Sequence, residues 1–330
     1  MPKKFKLKIP KLKKKLLILL LKFFIILLLI YYIFNNFEIF YIKNVLYKIR
    51  NKKIKVCLCI FGKEENLYAK EYVNHYKKLG YNHIFLYDNN DINGEKFEDV
   101  LQTEINSGFV TIIDFKGKRT IKNKLKSPQL DVFYDCYEKN NKNYDWLSFF
   151  DFDEFLELYP NNLKIQDFLG NKRYDKCQNI KINFLFYSDN ELLYYDNRSI
   201  EERFTTPLPN AYDNMIIKST VRGGLKENYW KKSTNTHTSL MNYTCCNSLG
   251  QIMDYRANNY KKFNFSYAAL KHYYTKTVEE YVHKTKRGEG HLIYTPFNNK
   301  RKYHKINNYF YYNKRTTEKL KLFKKLFNIT

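Results

Sequence analysis

The sequence lacks the signatures that would point straight to a common chemistry. No G-x-G-x-x-G and no G-x-x-x-x-G-K-[ST] occurs in its 330 residues, so a Rossmann dinucleotide site and a P-loop lose their main support. No two cysteines have C-x-x-C spacing, which removes the usual structural zinc site. Glycine (11) and proline (7) are scarce, which excludes collagen-like repeats and linker-rich low complexity. Negative charge is nearly missing from the amino terminus, where residues 1–55 hold 14 Lys and one Arg against one Glu.

What is present is an ordinary globular composition, 44% hydrophobic and 28% charged. Its length fits two domains of about 150 residues, or one large α/β domain. The net charge of +25 divides into +14 for residues 1–55 and +11 for the other 275. Lys, Asn, Ile, Tyr and Phe are abundant throughout, so AT-rich codon usage accounts for much of the body's charge. Attraction to anionic sugar nucleotides or to membrane surfaces is the functional alternative. A membrane-tethered nucleic-acid binder is a further class, suggested by the charge and by 18% aromatics. The chain carries no RNA-recognition or zinc-finger signature, and its charge gathers beside an apolar run, so nucleic acid is not the expected partner.

That run is Leu16–Phe34, 19 residues with the single charge Lys22, behind a tail with eight Lys in residues 1–15. As a helix it would rise about 28 Å, one hydrocarbon core. Lys22 lies near the basic end and can snorkel, while Tyr31 and Tyr32 sit where belt aromatics belong. A cleavable signal peptide would be shorter and followed by small residues, but Asn35-Asn36-Phe37-Glu38 follows here. The expected organisation is a cytoplasmic tail (1–15), a transmembrane signal-anchor (16–34), a stem (35–54) and a body (55–330). The body would face the lumen or exterior, Golgi- or ER-like in a eukaryotic or viral setting. Sequons open at Asn197, Asn242, Asn264 and Asn328. Of six cysteines, Cys57 and Cys59 alternate with apolar residues and read as buried thiols, and spacing names no disulfide.

The body alternates strands and helices. Apolar runs at 55–61, 83–87, 109–115 and 146–150 read as strands. Helical patterns lie between them at 64–79, ended by Gly80, at 97–107, ended by Gly108, and at 129–139. A βα series predicts a mainly parallel sheet with helices on both faces, and ligands beyond the carboxyl ends of its strands. Those ends carry Lys63-Glu64, Asp88-Asn89-Asn90-Asp91, Asp114 and Asp151-Phe152-Asp153. In extended chain, Asp151 and Asp153 would point to one side and Phe152 to the core. Two hard carboxylates at a strand end suit Mn²⁺ or Mg²⁺, with phosphate oxygens completing the shell. A solvated acidic turn is the alternative.

These stretches resemble metal-dependent GT-A glycosyltransferases, nearest the family-2-like and family-92 (DUF23-like) enzymes. The likeness runs through Lys63-Glu64-Glu65-Asn66, Tyr87-Asp88-Asn89, Gln129 with Asp135-Cys136, and Asp151–Phe155. It continues at Glu202-Arg203-Phe204, Lys218–Arg222, His237, His272–Tyr281 and Lys286-Arg287-Gly288, covering roughly residues 55–320. One segment, Asn183–Asn190, departs from the family's pattern. The resemblance implies a GT-A fold with a nucleotide-sugar half (55–155) and an acceptor half (156–330). It implies a nucleotide-diphosphate sugar donor and a glycan, glycoprotein or glycolipid acceptor. Lys63, Glu64, Asp88, Asn89, Gln129 and Asp151 would contact the donor. Asp151, Asp153 and His272 would hold the metal, and Lys276 and Arg287 the phosphates. A core His bonded to backbone is the other reading of His272. An inverting transfer needs a base at the acceptor hydroxyl, and Asp189, Glu202 and His237 are its candidates. A catalytically inactive or lectin-like protein on the same fold is the alternative function; intact acidic residues at three strand ends argue against it.

The anchor is tested directly. The chain should stay with membranes through alkaline carbonate washing, and its body should resist protease in sealed vesicles. Release by carbonate would remove the anchor.

Overall fold

The structure, a computed structural model, describes residues 20, 22–28, 31–32, 54–116, 127–225, 236–237, 244–253, 264–288 and 298–329. The chain divides into two compact units, Met1–Lys53 and Ile54–Thr330. Most of the expected anchor and stem, and the sequon at Asn242, lie outside the described residues. The described part of 16–34 is helical and exposed, and among the described residues no helix is long and apolar enough to cross a membrane.

The second unit begins with the βα series. Strand β1 (Val56–Gly62) pairs in parallel with β2 (His83–Asp88) and β4 (Trp146–Phe149), and β2 pairs in parallel with β3 (Val110–Asp114). Helices α1 (Asn66–Leu79), α2 (Glu98–Asn106) and α3 (Pro128–Asn140) alternate with these strands. Gly80 caps α1 in the left-handed conformation, and Ser127 caps α3 just before a first-turn proline. Buried Tyr68, Tyr72 and Tyr76 line the inner face of α1, and Leu67 beside them is exposed.

Beyond β4 the expectation of a mainly parallel sheet fails. Strand β7 (Ile217–Arg222) lies antiparallel to both β4 and β6 (Asn179–Phe186), and β5 (Glu154–Leu158) lies antiparallel to β10 (Ala268–His272). The order is β3-β2-β1-β4-β7-β6-β10-β5, with β8 (Cys245–Asn247) on β6 and β9 (Ile252–Met253) on β8. The fold is mixed α/β. The register β6–β10 is parallel and pairs Phe186 with His272, while β5–β10 pairs Glu154 with His272. Three strand ends thus meet at one histidine.

Disulfides join Cys59 to Cys136 and Cys177 to Cys246. The first corrects the reading of Cys59 as a thiol. Residues β1 and α3 present to each other place the sulfurs together, a contact invisible at a separation of 77 residues. Cys57 remains a buried thiol.

Three helices complete the unit: α4 (Val278–Arg287), α5 (Asn299–Tyr312) and α6 (Thr317–Phe327). Thr277 and Glu280 form a reciprocal capping box that starts α4. Val278, Tyr281, Ile306, Tyr309 and Phe323 pack the three helices into a core of their own. An ion pair inside this region binds it to the rest: Lys319 Nζ reaches Asp189 Oδ2 at 2.6 Å, and the Tyr309 hydroxyl donates to the same oxygen at 2.6 Å. Both ionic side chains are almost wholly buried. Removing one partner leaves an uncompensated buried charge, so Lys319→Ala should cost about 3–5 kcal/mol in a denaturant titration. An unchanged midpoint would show that the pair does not hold these helices.

Candidate active site

The site forms where β1, β4, β6 and β10 end. Its geometry starts with Phe152. The ring stacks on Phe97 at 5.6 Å and lies 4.9 Å from the Tyr72 ring. It also closes on Gly62, where a Cβ would stand 2.4 Å from a Phe152 ring carbon, so no larger residue fits there. Burying this ring, about 2–3 kcal/mol of transfer free energy, draws residues 151–153 down into the end of the sheet.

These residues form a tight turn, not extended chain, with the Glu154 amide donating to the Asp151 carbonyl at 3.1 Å. The period-two argument therefore fails locally, and the two aspartates turn to different partners. Asp151 accepts from Gln129 Nε2 at 2.5 Å and from Lys218 Nζ at 2.8 Å. Asp153 faces Lys284 Nζ at 2.5 Å and His272 Nε2 at 3.6 Å. Between them, Glu154 accepts the Asp151 amide at 2.9 Å and lies 3.4 Å from Lys218. Among the described residues, Asp153, Glu154 and His272 form the group whose ligand atoms lie within 4.8 Å of one another. Asp151 is not part of it.

The surroundings set the charge states. Burial resists ionisation of Asp153, but Lys284 and His272 overcome it and hold its carboxyl well below the usual range. Burial pushes Glu154 the other way, well above the range, against the pull of Lys218. Lys218 is itself buried, which disfavours its charge, yet Asp151 and Glu154 hold it up to about 12. His272 sits between the Phe184 and Phe186 rings, at 4.4 and 4.7 Å, and burial lowers its pKa. The ring is therefore neutral at pH 7, as a metal ligand must be. Its Nδ1 is buried with no hydrogen-bond partner.

The other candidates are distributed around this centre. Asp88 is buried, accepts the Asn90 amide at 2.9 Å and pairs with Lys116 at 3.1 Å. With Ile92, Glu98, Ile112, Asp114 and Lys116 it lines a cavity of about 490 Å³. The Asn89 amide donates to the Gly62 carbonyl, and the Glu64 amide to Asn90 Oδ1. Lys63 pairs with exposed Asp91 at 2.9 Å. Lys276, buried and with its charge disfavoured by that burial, stands 3.8 Å from the centre of the Tyr68 ring.

Some placements depart from the expectations. Arg287, read as a phosphate contact, closes the loop after β1: it donates to the Lys63 and Glu64 carbonyls and to Glu65 Oε1. Asp189, a candidate for the base, is buried under Lys319 and Tyr309 and offers no oxygen to an acceptor. Glu202 is exposed and caps a helical turn through Ser199. His237 alone of the three stands near the site. Its Nδ1 donates to the Ile217 carbonyl at 2.9 Å, and burial together with Lys218 lowers its pKa to about 4. The neutral ring then carries its lone pair on Nε2. Sequence reasoning gave no task to Glu154 or Lys218. Lys218 shares the strand Ile217–Arg222 with Ser219, Thr220 and Arg222, so nothing local singled it out.

The model of glycosyltransferase family 92 matches residues 52–321. The chain belongs to that family. It is similar to a family 92 protein of Oryza sativa subsp. japonica, 29% identical over 122 residues, or 37% of this chain and 19% of the relative. A family 92 protein of Ricinus communis is 27% identical over 123 residues, 37% of this chain and 20% of the relative. The matches thus span about a fifth of those relatives' length. Among solved structures, residues 1–349 of S. aureus TarS align with 69% of this chain and 62% of theirs, at 9% identity and a TM-score of 0.31.

Lys218 offers a test of the geometry. Lys218→Ala leaves Asp151 and Glu154 without their shared cation and should cost about 3–5 kcal/mol. Adding Glu154→Gln should recover part of that loss, because the two residues are coupled. Strict additivity in the double variant would contradict the arrangement.

Proposed function

We propose that the chain is a membrane-anchored, metal-dependent glycosyltransferase of GT-A type. It would move a sugar from a nucleotide-diphosphate donor to a glycan or glycoconjugate acceptor with inversion. The observation that carries this reading is the convergence of Asp153 and His272 from strand ends 119 residues apart in sequence.

The donor set fits a divalent cation. A buried carboxylate whose ionised form is favoured, a second carboxyl beside it and a neutral imidazole that turns Nε2 toward the first suit Mn²⁺ or Mg²⁺. When bound, such an ion would offset charge on the leaving diphosphate. The protein's own residues do the rest. The cavity beside Asp88 is of a size to take a nucleoside, with carboxylates as acceptors for ribose or base donors. Gln129 and Lys218 fix the Asp151 carboxylate at the rim, one-third exposed, where it can accept from a donor hydroxyl. His237, beside Lys218 and bonded through Nδ1 to the Ile217 carbonyl, is the one base candidate left near the site. Orientation and fixed charge would supply most of the rate.

Two disulfides support a luminal or external body, since such bonds persist in oxidising compartments. The basic tail before Leu16–Phe34 supports the same topology.

Donor turnover by the full chain in detergent, screened over common nucleotide sugars, tests the proposal. Asp153→Asn should lower turnover by a factor of about 10² or more with the unfolding transition retained, since an amide is a poor ligand for a hard cation. EDTA should abolish turnover and Mn²⁺ restore it. Full activity in EDTA would overturn the metal-dependent reading.

A further inference from the structure

Lys284 has no task in the chemistry above, yet it stands on the central oxygen of the site. Its Nζ is 2.5 Å from Asp153 Oδ2, the oxygen that also lies 3.6 Å from His272 Nε2. It donates to the Tyr274 carbonyl at 3.1 Å and lies 4.4 Å from the centre of the Tyr274 ring. The ligand position is thus already held by an ammonium.

The formal charges around it balance. Glu65, Asp151 and Asp153 face Arg287, Lys218 and Lys284, three of each sign, while burial disfavours the charged forms of Glu154 and Lys276 alike. A divalent cation entering alone would leave an excess of two positive charges among buried groups. The diphosphate diester of a sugar donor alone would leave two negative ones, and a free nucleoside diphosphate up to three. Uncompensated charge in such surroundings is strongly disfavoured, and cation and sugar donor together restore neutrality.

We infer that Lys284 is a resident counter-ion of Asp153 that gives up this carboxylate when a divalent cation binds, its next partner being the donor's diphosphate. Cation and nucleotide then bind cooperatively, each poorly alone. The inference rests on the metal-site reading proposed above. The helix carrying Lys284 is fixed at both ends, by Glu280 to Arg203 and by Arg287 to the β1 loop. Only the four-carbon stem has to move, and a lysine ammonium tolerates such a change of partner better than a planar guanidinium.

Mn²⁺ binding to the full chain in detergent, followed by the electron paramagnetic resonance of free Mn²⁺, reads this without any turnover. The probes are Mn²⁺ alone, then Mn²⁺ with uridine or guanosine diphosphate. The wild type should bind Mn²⁺ at least about tenfold more tightly with a nucleotide present, and reciprocally. Lys284→Met should tighten binding of Mn²⁺ alone by about tenfold and shrink the nucleotide effect by a similar factor. Lys284→Gln, which keeps a donor toward Tyr274, serves should the first variant not fold, and Lys284→Arg should behave more like the wild type. Unchanged Mn²⁺ affinity in Lys284→Met and Lys284→Gln, with Asp153→Asn abolishing binding, would overturn the counter-ion role and leave the metal site standing. Mn²⁺ binding that survives Asp153→Asn would overturn both.

Discussion

The register between β5 and β10 is the constraint on which the site depends. It sets His272 opposite Glu154 and lets the Tyr273 amide donate to the Asp153 carbonyl at 2.9 Å. A slip of one residue would turn every side chain of β10 to the other face. His272 would leave the Phe184 and Phe186 rings, and Asp153 would lose its imidazole neighbour. Such a slip would also take Lys271 from its ion pairs with Glu157 and Glu201 and turn its ammonium toward the place of His272, which opposes it.

Around this pairing, the carboxy-terminal region acts as the clasp of the end of the sheet that carries the candidate site. Glu280 reaches Arg203 at 2.8 Å and accepts from the Tyr68 hydroxyl at 2.6 Å, joining three distant parts of the chain. Arg287 holds the loop after β1, where Glu64 has a positive φ of 52°. The last two helices are fastened in turn by Asp189, Tyr309 and Lys319. The His-Tyr…Glu-Glu-Tyr…Arg-Gly segment is therefore largely a structural device that brings Lys284 to the metal-binding candidate Asp153.

Much of the first hundred residues of the body was legible because local signals agreed there. Strand runs, Gly80 as a helix stop and apolar periodicity all describe neighbours in sequence. The return of β10 between β5 and β6 was not legible, since nothing local announces a pairing over more than 100 residues. Asp153 and His272 could be named as members of one site, but not which partners each would take. Asp151 and Asp153 diverge because Phe152 packs under Gly62 and bends the chain into a turn, an effect of tertiary packing on local geometry. Asp189 resembled an exposed loop acid because the cation that covers it, Lys319, lies 130 residues further on.

The Cys59–Cys136 bond has a consequence for how the protein is made. Cys57 and Cys59 lie two apart on one strand, so both thiols face the layer that α3 brings to β1. During synthesis both are displayed before Cys136 leaves the ribosome, and each is a chemically competent partner for it. Selection between them falls to the register of β1 against β2 and to the final seating of α3, not to thiol reactivity. Oxidation ahead of sheet formation would trap the wrong sulfur, so an isomerase-rich environment, or serine at position 57, would be the practical route to a homogeneous preparation.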